Sequence, residues 1–506
     1  MNEFIELWQP TSALVKAFLP EIVLAGAALL VLALDVWLPK DRAKVGIATT
    51  CLALLVAGII PFVVSADYDQ NSIFGPAGVG MVTGPFFLVC AFLAVLLGKT
   101  VRERTEFSAP ITNHLILVST AAAIALTKAS NFVAFFVLLE TLTVSLYALV
   151  GSYRTSVASL EAGVKYLIAG GVSGGLMLFG IVLLYGATAL SGVAADAGMD
   201  VLGYEAVSMA LMADPTNPIM LVGAAMVLGG VMFKFGVFPM QFWIPDTYQG
   251  APLHVTFFLA TLSKAVGFFM AFYFLAGVFA PAFGGLFPIL LGVTLISMVY
   301  ANLAALGQRK VKRLLGLSGV SHASYMMLGI LALVKLVQAG SISDEALELM
   351  GVALGLYIVF YVLSQYPIFA VMARVSAQAG DEAMQDFGDF RGLAKRSPVL
   401  AGALASGLAS LAGIPPTVGF ITKLGILWVV FSAGLYVPAA IMLACVVASV
   451  YYYFGWMRSI FSTDEGDTAE VTPFAAPGIG ARTSLVFFAA LTVLGSLVYF
   501  ALLALA

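Results

Sequence analysis

Charge is what this chain has least of. Only 10% of its 506 residues are Asp, Glu, Lys or Arg, whereas a soluble globular protein carries about 25%. Too little polar surface remains to face water, and this excludes a soluble enzyme, a nucleic-acid binder and a disordered scaffold together. Cysteine is also scarce. Cys51, Cys90 and Cys445 stand far apart inside apolar runs, with no Cys-x-x-Cys and no Cys/His cluster, which argues against an iron–sulfur cluster, a structural zinc or a disulfide framework. No Gly-x-Gly-x-x-Gly follows a strand, and no haem-like histidine pair is present. The chain is therefore expected to hold no metal, nucleotide or redox cofactor of its own. The opening MNEFIELWQP is acidic where a secretory signal needs a basic stretch, so the first apolar segment is expected to stay in the mature protein.

What the chain has is apolar length: 61% of its residues are hydrophobic. A helix needs about 20 apolar residues to cross the hydrocarbon. Fourteen such segments can be read, at 13–38, 43–65, 78–98, 112–128, 131–151, 161–189, 219–240, 251–277, 284–306, 314–335, 348–373, 398–429, 434–459 and 482–505. No long soluble stretch is left over, so residues 1–506 are expected to form one all-α, multi-pass membrane domain in the lipid bilayer. Connections that follow odd-numbered segments carry seventeen Lys and Arg, among them Lys40, Arg42, Lys44, Lys99, Arg102, Arg104 and the Arg309–Arg313 cluster; those that follow even-numbered segments carry only Lys128 and Lys335. Basic loops stay in the cytoplasm, which predicts both termini on the periplasmic side of a bacterial inner membrane.

Of the remaining basic residues, Lys165, Lys234, Lys264 and Lys423 fall inside apolar segments, as does Glu140. A charge at mid-bilayer costs about 2.5–3.5 kcal/mol on insertion scales and marks a functional candidate. Glu140, Lys234, Lys264 and Lys423 are too deep to reach the interface easily. Lys165 sits one turn into its segment, where a relay role and a structural ion pair are equally open. Glu21 follows Pro20 in the first segment, and Asp35 reads as interfacial. His322 fits either a neutral relay between two halves of the protein or a core histidine; His254 is a weaker candidate, and His114 reads as interfacial.

Two lysines stand beside helix breaks: Pro239 and Pro245 interrupt the seventh segment, and Gly413-Ile414-Pro415-Pro416 the twelfth. Broken helices at matching places in two halves point to an ion site. Their five-helix separation predicts two inverted five-helix repeats, segments 4–8 (112–277) and 9–13 (284–459). The glycine-rich AGGVSGGLMLFG lies within an apolar run and reads as a helix-packing surface. Burial disfavours a charged lysine and a nearby carboxylate favours it. At about 4 Å and an effective dielectric near 20 such a pair is worth roughly 4 kcal/mol, so making and breaking it can move a lysine between proton-holding and proton-releasing states.

At these residues the chain resembles the antiporter-like membrane subunits of respiratory complex I. The resemblance rests on LLETLTVSLYALVG, FKFGVFPMQFWIPDTYQGAP, LSKAVGF, RKVKRLLGLSGVSHASYMMLGI and GLAKRSPVLAGALASGLASLAGIPPTVGFITKLGIL, and runs from about Pro20 to Arg458. Within that family the Leu-Pro-Glu of the first segment, the Pro-Asp-x-Tyr-x-Gly-Ala-Pro string and the lysines of the eighth and twelfth segments are most like subunit N, the counterpart of mitochondrial subunit 2. The resemblance implies that Glu140 and Lys234 form the glutamate–lysine pair, that Lys264 is the central relay lysine and that Lys423 faces the exit. Two departures are plain: Gln241 replaces a histidine of the family pattern, and Ala251-Pro252-Leu253-His254-Val255 replaces Ala-Pro-Thr-Pro-Val. The implied function is proton translocation in an NADH:quinone oxidoreductase. NADH, FMN, iron–sulfur clusters and quinone would then lie in partner subunits, and a paralogous antiporter-like subunit would be among the neighbours. The alternatives are a Mrp-type cation/proton antiporter subunit, a membrane-hydrogenase subunit, or a non-pumping scaffold.

Overall fold

The computed structural model describes residues 12–37, 43–63, 77–101, 109–340, 343–379, 385–462 and 479–505. The acidic opening through Pro10 and the loop residues Lys40, Arg42, Arg102 and Arg104 lie outside the described residues.

Among the described residues, fourteen apolar helical spans, two of them split, follow one another close to the apolar runs of the sequence. They are α1 (Leu19–Trp37), α2 (Ala43–Val63), α3 (Ala77–Val101), α4 (Ala109–Leu126), α5 (Phe132–Val150) and α6 (Val157–Ser191). The seventh is split into α7a (Pro218–Phe235) and α7b (Ile244–Gly250). Then come α8 (Leu253–Val278), α9 (Phe283–Leu306), α10 (Val311–Ala339) and α11 (Asp344–Ala379). The twelfth is split into α12a (Pro398–Ala412) and α12b (Val418–Ser432), followed by α13 (Tyr436–Phe461) and α14 (Ile479–Leu505). Among the described residues there is no strand, as expected where a bilayer gives backbone groups no water to bond.

Local chemistry sets the ends. Asn131 caps α5, its side-chain oxygen accepting from the Val133 amide at 2.6 Å. Asn217 does the same for α7a, accepting from Ile219 and Met220, with Pro218 at the first helical position, where its missing N–H costs nothing. Each broken span stops at a glycine with positive φ, Gly236 at 81° and Gly413 at 78°, a left-handed turn that a side chain would oppose. Both breaks expected from Pro and Gly are therefore present, and each holds a cis proline, Pro239 and Pro416.

Burial orders the bundle. In α8 and α10, 89% of the most apolar stretch is buried, against 28% in α1 and α2. These two helices form the central layer, and the others turn Leu, Ile, Val and Phe outward, as along the outer face of α6 (Leu167, Ile168, Val172, Phe179). Two π-helical turns, Leu259–Ser263 and Phe274–Val278, interrupt α8. The first ends immediately before Lys264. Such turns concentrate at functional sites, and the sequence pattern gave no sign of them.

Candidate functional site

Glu140 sits half-buried on α5 and faces α6. The glycine-rich stretch of α6 makes room for it: a Cβ on Gly174 would lie 2.9 Å from the Glu140 carboxylate. A Cβ on Gly170 would run into the Tyr147 hydroxyl. The glycines thus serve helix packing, as read, and two of them also seat polar groups of α5.

Lys234 is buried on α7a, 4% exposed, and its ammonium has no hydrogen-bond partner among the described residues. Glu140 acts on it electrostatically, but among the described residues no carboxylate lies within the 4.0 Å of an ion pair. Aromatic rings lie close to Lys234. Tyr147 meets Tyr166 edge to face, and Tyr166 stacks against Phe233 and Trp243. Glu140 and Lys234, the pair that the resemblance implies, thus stand beyond ion-pair distance in this structure and act on one another through the field.

Lys264, the residue after the first π-turn of α8, is buried at 2% exposure. It donates to the carbonyls of Gly319 at 2.8 Å and Phe235 at 3.3 Å. Phe235 is the last residue of α7a, so the break in span 7 faces Lys264 of the neighbouring helix. Lys423, on α12b, reaches back across its own break to the carbonyls of Leu411 and Ala412 at 2.7 and 3.0 Å. Between these lysines lies His322 on α10, its Nδ1 at 2.7 Å from the Tyr357 hydroxyl and its ring 5.0 Å from that of Tyr361. His322, Tyr357, Tyr361, Ser364, Ser410 and Thr422 help line a cavity of about 10 Å³, the size of one water site.

The outer halves of the broken spans repeat the arrangement. Lys312 of α10 donates to Ala251, the C-terminal cap of α7b, at 2.7 Å. Lys335, at the other end of α10, donates to Ala433, the cap of α12b, at 2.9 Å. All four half-helices therefore end on a lysine. Free carbonyls and the negative end of the helix dipole favour a cation there by about 0.3–1 kcal/mol, and up to about 2 when partly buried. Sequence reasoning had counted Lys312 and Lys335 as loop charges.

Lys165 lies elsewhere. It is 45% exposed, bound to Glu161 at 2.7 Å and Asp246 at 2.8 Å, and Asp246 also holds Arg313 at 2.5 Å. A further pair was missed: Glu21 and Lys128 meet at 2.5 Å with side chains 9% and 7% exposed, and Lys128 also donates to Ala17 at 2.7 Å. The spacing of about a hundred residues between them offered no signal. His114, half-buried on α4, has its Nδ1 2.9 Å from the Ala28 carbonyl of α1. His254 is buried against Gly98 of α3.

Residues 129–450, which hold Glu140, Lys234, Lys264, His322 and Lys423, match the family model described as NADH:quinone oxidoreductase/Mrp antiporter, TM. The chain is 40% identical over 494 residues to NADH-quinone oxidoreductase subunit N 1 of Opitutus terrae, covering 95% of this chain and 94% of that one. It belongs to the subunit N branch of the NADH:quinone oxidoreductase/Mrp antiporter family. A chain of respiratory complex I from Thermus thermophilus superposes with a TM-score of 0.72 at 26% identity, covering 95% of this chain and 98% of that one. The same fold occurs in the Mrp complex of a Dietzia species, with a TM-score of 0.74, 18% identity and coverage of 96% and 95%. The subunit N family is thus an antiporter-like, multi-pass membrane fold, and Lys234 and Lys423 are the buried charges on the broken spans 7 and 12 of this chain.

Proposed function

We propose that this chain moves protons across a bacterial inner membrane as the N-type subunit of a proton-translocating NADH:quinone oxidoreductase. The observation that carries the reading is the row of buried ammonium groups Lys234, Lys264 and Lys423, two of them held by carbonyls at helix breaks. Glu140 sets the field at Lys234, Lys264 is the middle station, and His322 with its tyrosines and single-water cavity spans the gap to Lys423. Lys264 and Lys423 are held by neutral carbonyls and not by a carboxylate, so a change of field at one station can pass a proton to the next. Arg cannot substitute, because it does not release a proton in this range. Lys165 takes its place in the ion cluster with Asp246 and stands outside the row.

Residues 112–277 and 284–459 act as two inverted repeats, each contributing one broken span. NADH, FMN, iron–sulfur clusters and quinone belong to partner subunits, and this chain contributes no redox centre. Its neighbours are other membrane-arm subunits, a paralogous antiporter-like one among them, and it engages no nucleic acid. The Arg309–Arg313 loop faces the cytoplasm and both termini the periplasm; reporter fusions that place this loop outside would overturn the orientation. The fold shared with a Mrp complex supports a cation/proton antiporter as the second reading, and the extent of identity to subunit N 1 favours the first. The deciding experiment is reconstitution of the complex that contains this chain, with NADH-driven quinone reduction and lumen acidification measured together. Lys264→Ala should assemble and lose most of its pumping; a pumping rate equal to the unsubstituted complex would overturn the relay.

A further inference from the structure

A buried ammonium that makes no hydrogen bond is costly unless something else meets its charge. At Lys234 the candidates are rings. The Tyr166 and Phe233 ring centroids both lie 5.8 Å from the Lys234 ammonium, inside the range of about 6 Å over which a ring face attracts a cation. The faces are held in place. Tyr166 is fully buried and lies 4.5 Å from the Trp243 ring and 5.8 Å from the Phe233 ring, with interplanar angles of 26° and 18°. Trp243 comes from the break itself, and its indole N–H donates to the Phe233 carbonyl at 3.2 Å. This bond ties the stack to the end of α7a. The Tyr166 hydroxyl lies towards Ser263 and, among the described residues, has no hydrogen-bond partner within 3.5 Å, so the ring face is what Tyr166 offers Lys234.

We infer that the Phe233–Tyr166–Trp243 stack is the resting place of the Lys234 ammonium when it is disengaged from Glu140, with Tyr166 as the positioning residue. The inference rests on the relay reading and adds to it a second, uncharged partner for Lys234. A carboxylate alone would hold the ammonium in one place. Two partners of opposite chemistry, a charge and a ring face, give it two, and the stack makes the disengaged position reachable without discharging the lysine into hydrocarbon. A fully desolvated ring–cation contact is worth up to roughly thirtyfold in such an equilibrium.

The test keeps the shape of residue 166 and changes only its face. In the reconstituted complex, Tyr166→Phe should pump within about twofold of native, because the ring and not the hydroxyl meets Lys234. Mono-, di- and trifluorophenylalanine at position 166, which withdraw electron density from the ring at nearly constant volume, should lower pumping stepwise. Tyr166→Leu should lose about tenfold. In a Lys234→Ala background, where pumping is already reduced, the same series should be flat, since the ring acts only through the lysine; a role in packing would produce no fluorine trend in either background. A flat fluorine series beside Lys234 overturns the inference, as does Tyr166→Phe pumping as poorly as Tyr166→Leu. If Lys234→Ala pumps like native, the relay reading fails at Lys234; if Lys234→Ala is impaired and the fluorine series is flat, the aromatic resting place alone fails.

Discussion

Lys264 donates to the carbonyl of Phe235, the last residue of α7a, across 3.3 Å. A residue of span 8 thereby meets the open end of span 7, and the break carries a cation that its own helix does not supply at that point. Lys264→Arg should preserve this contact, because a guanidinium also donates to carbonyls, and it retains charge at any working pH. Quinone reduction and assembly should survive while pumping falls at least tenfold, read as acidification per NADH oxidised. An arginine variant that pumps at the native rate would show that charge alone suffices.

Glu140 and Lys234 influence one another without touching, so their coupling is electrostatic and graded. Glu140→Gln is expected to lower pumping severely. Adding Lys234→Ala to it should cost much less than Lys234→Ala costs alone, because the pair works as one unit. Losses that multiply in the double variant would assign the two residues independent roles.

Much of this site was legible before any coordinates. Glu140, Lys234, Lys264 and Lys423 stand out because a charge in an apolar run has few innocent explanations, and Pro239 and Gly413–Pro416 mark the two breaks because their backbone chemistry opposes helix, while Pro245 falls in the first turn of α7b, where helix tolerates it. The partners were not legible. In a helix apolar on every face, periodicity does not separate the lipid side from the protein side, so nothing indicated that Tyr166 and Phe233 flank Lys234 or that Gly174 backs onto Glu140. The acceptors of Lys264 and Lys423 are main-chain atoms, which no residue type announces. Lys128, Lys312 and Lys335 had been read as loop charges because they lie near segment ends, although Lys128 and Lys312 are buried and Lys335 half-buried.

The Glu21–Lys128 pair gives a stability prediction. Both side chains are more than nine-tenths buried, so removing one partner strands the other charge. Glu21→Gln or Lys128→Met should cost about 3–5 kcal/mol, read as loss of assembled complex or a lowered melting temperature. The double variant Glu21→Leu with Lys128→Leu should recover most of that loss. A double variant no better than the singles would show that the Lys128 bond to Ala17, and not the ion pair, secures the start of α1.

Asp246 joins α7b to α6 through Lys165 and to α10 through Arg313. Asp246→Asn removes both ion pairs at once. All three groups are about a third exposed or more, so the expected loss is only about 1 kcal/mol, seen as a small fall in melting temperature with assembly intact. Lys165→Ala should cost less and leave pumping near native. A pumping defect in Lys165→Ala comparable to that of Lys264→Ala would return Lys165 to the row of relay residues.

The four lysines at the ends of α7a, α7b, α12a and α12b bind peptide oxygens. Such acceptors survive any exchange of side chain at positions 235, 251, 411, 412 and 433, so the sequence around the breaks is free to drift while the seats for the cations persist. The same property makes half of each contact invisible to ordinary mutagenesis. Altering the acceptor at fixed side chain calls for replacing the backbone amide by an ester, which weakens the carbonyl and leaves every residue identity intact.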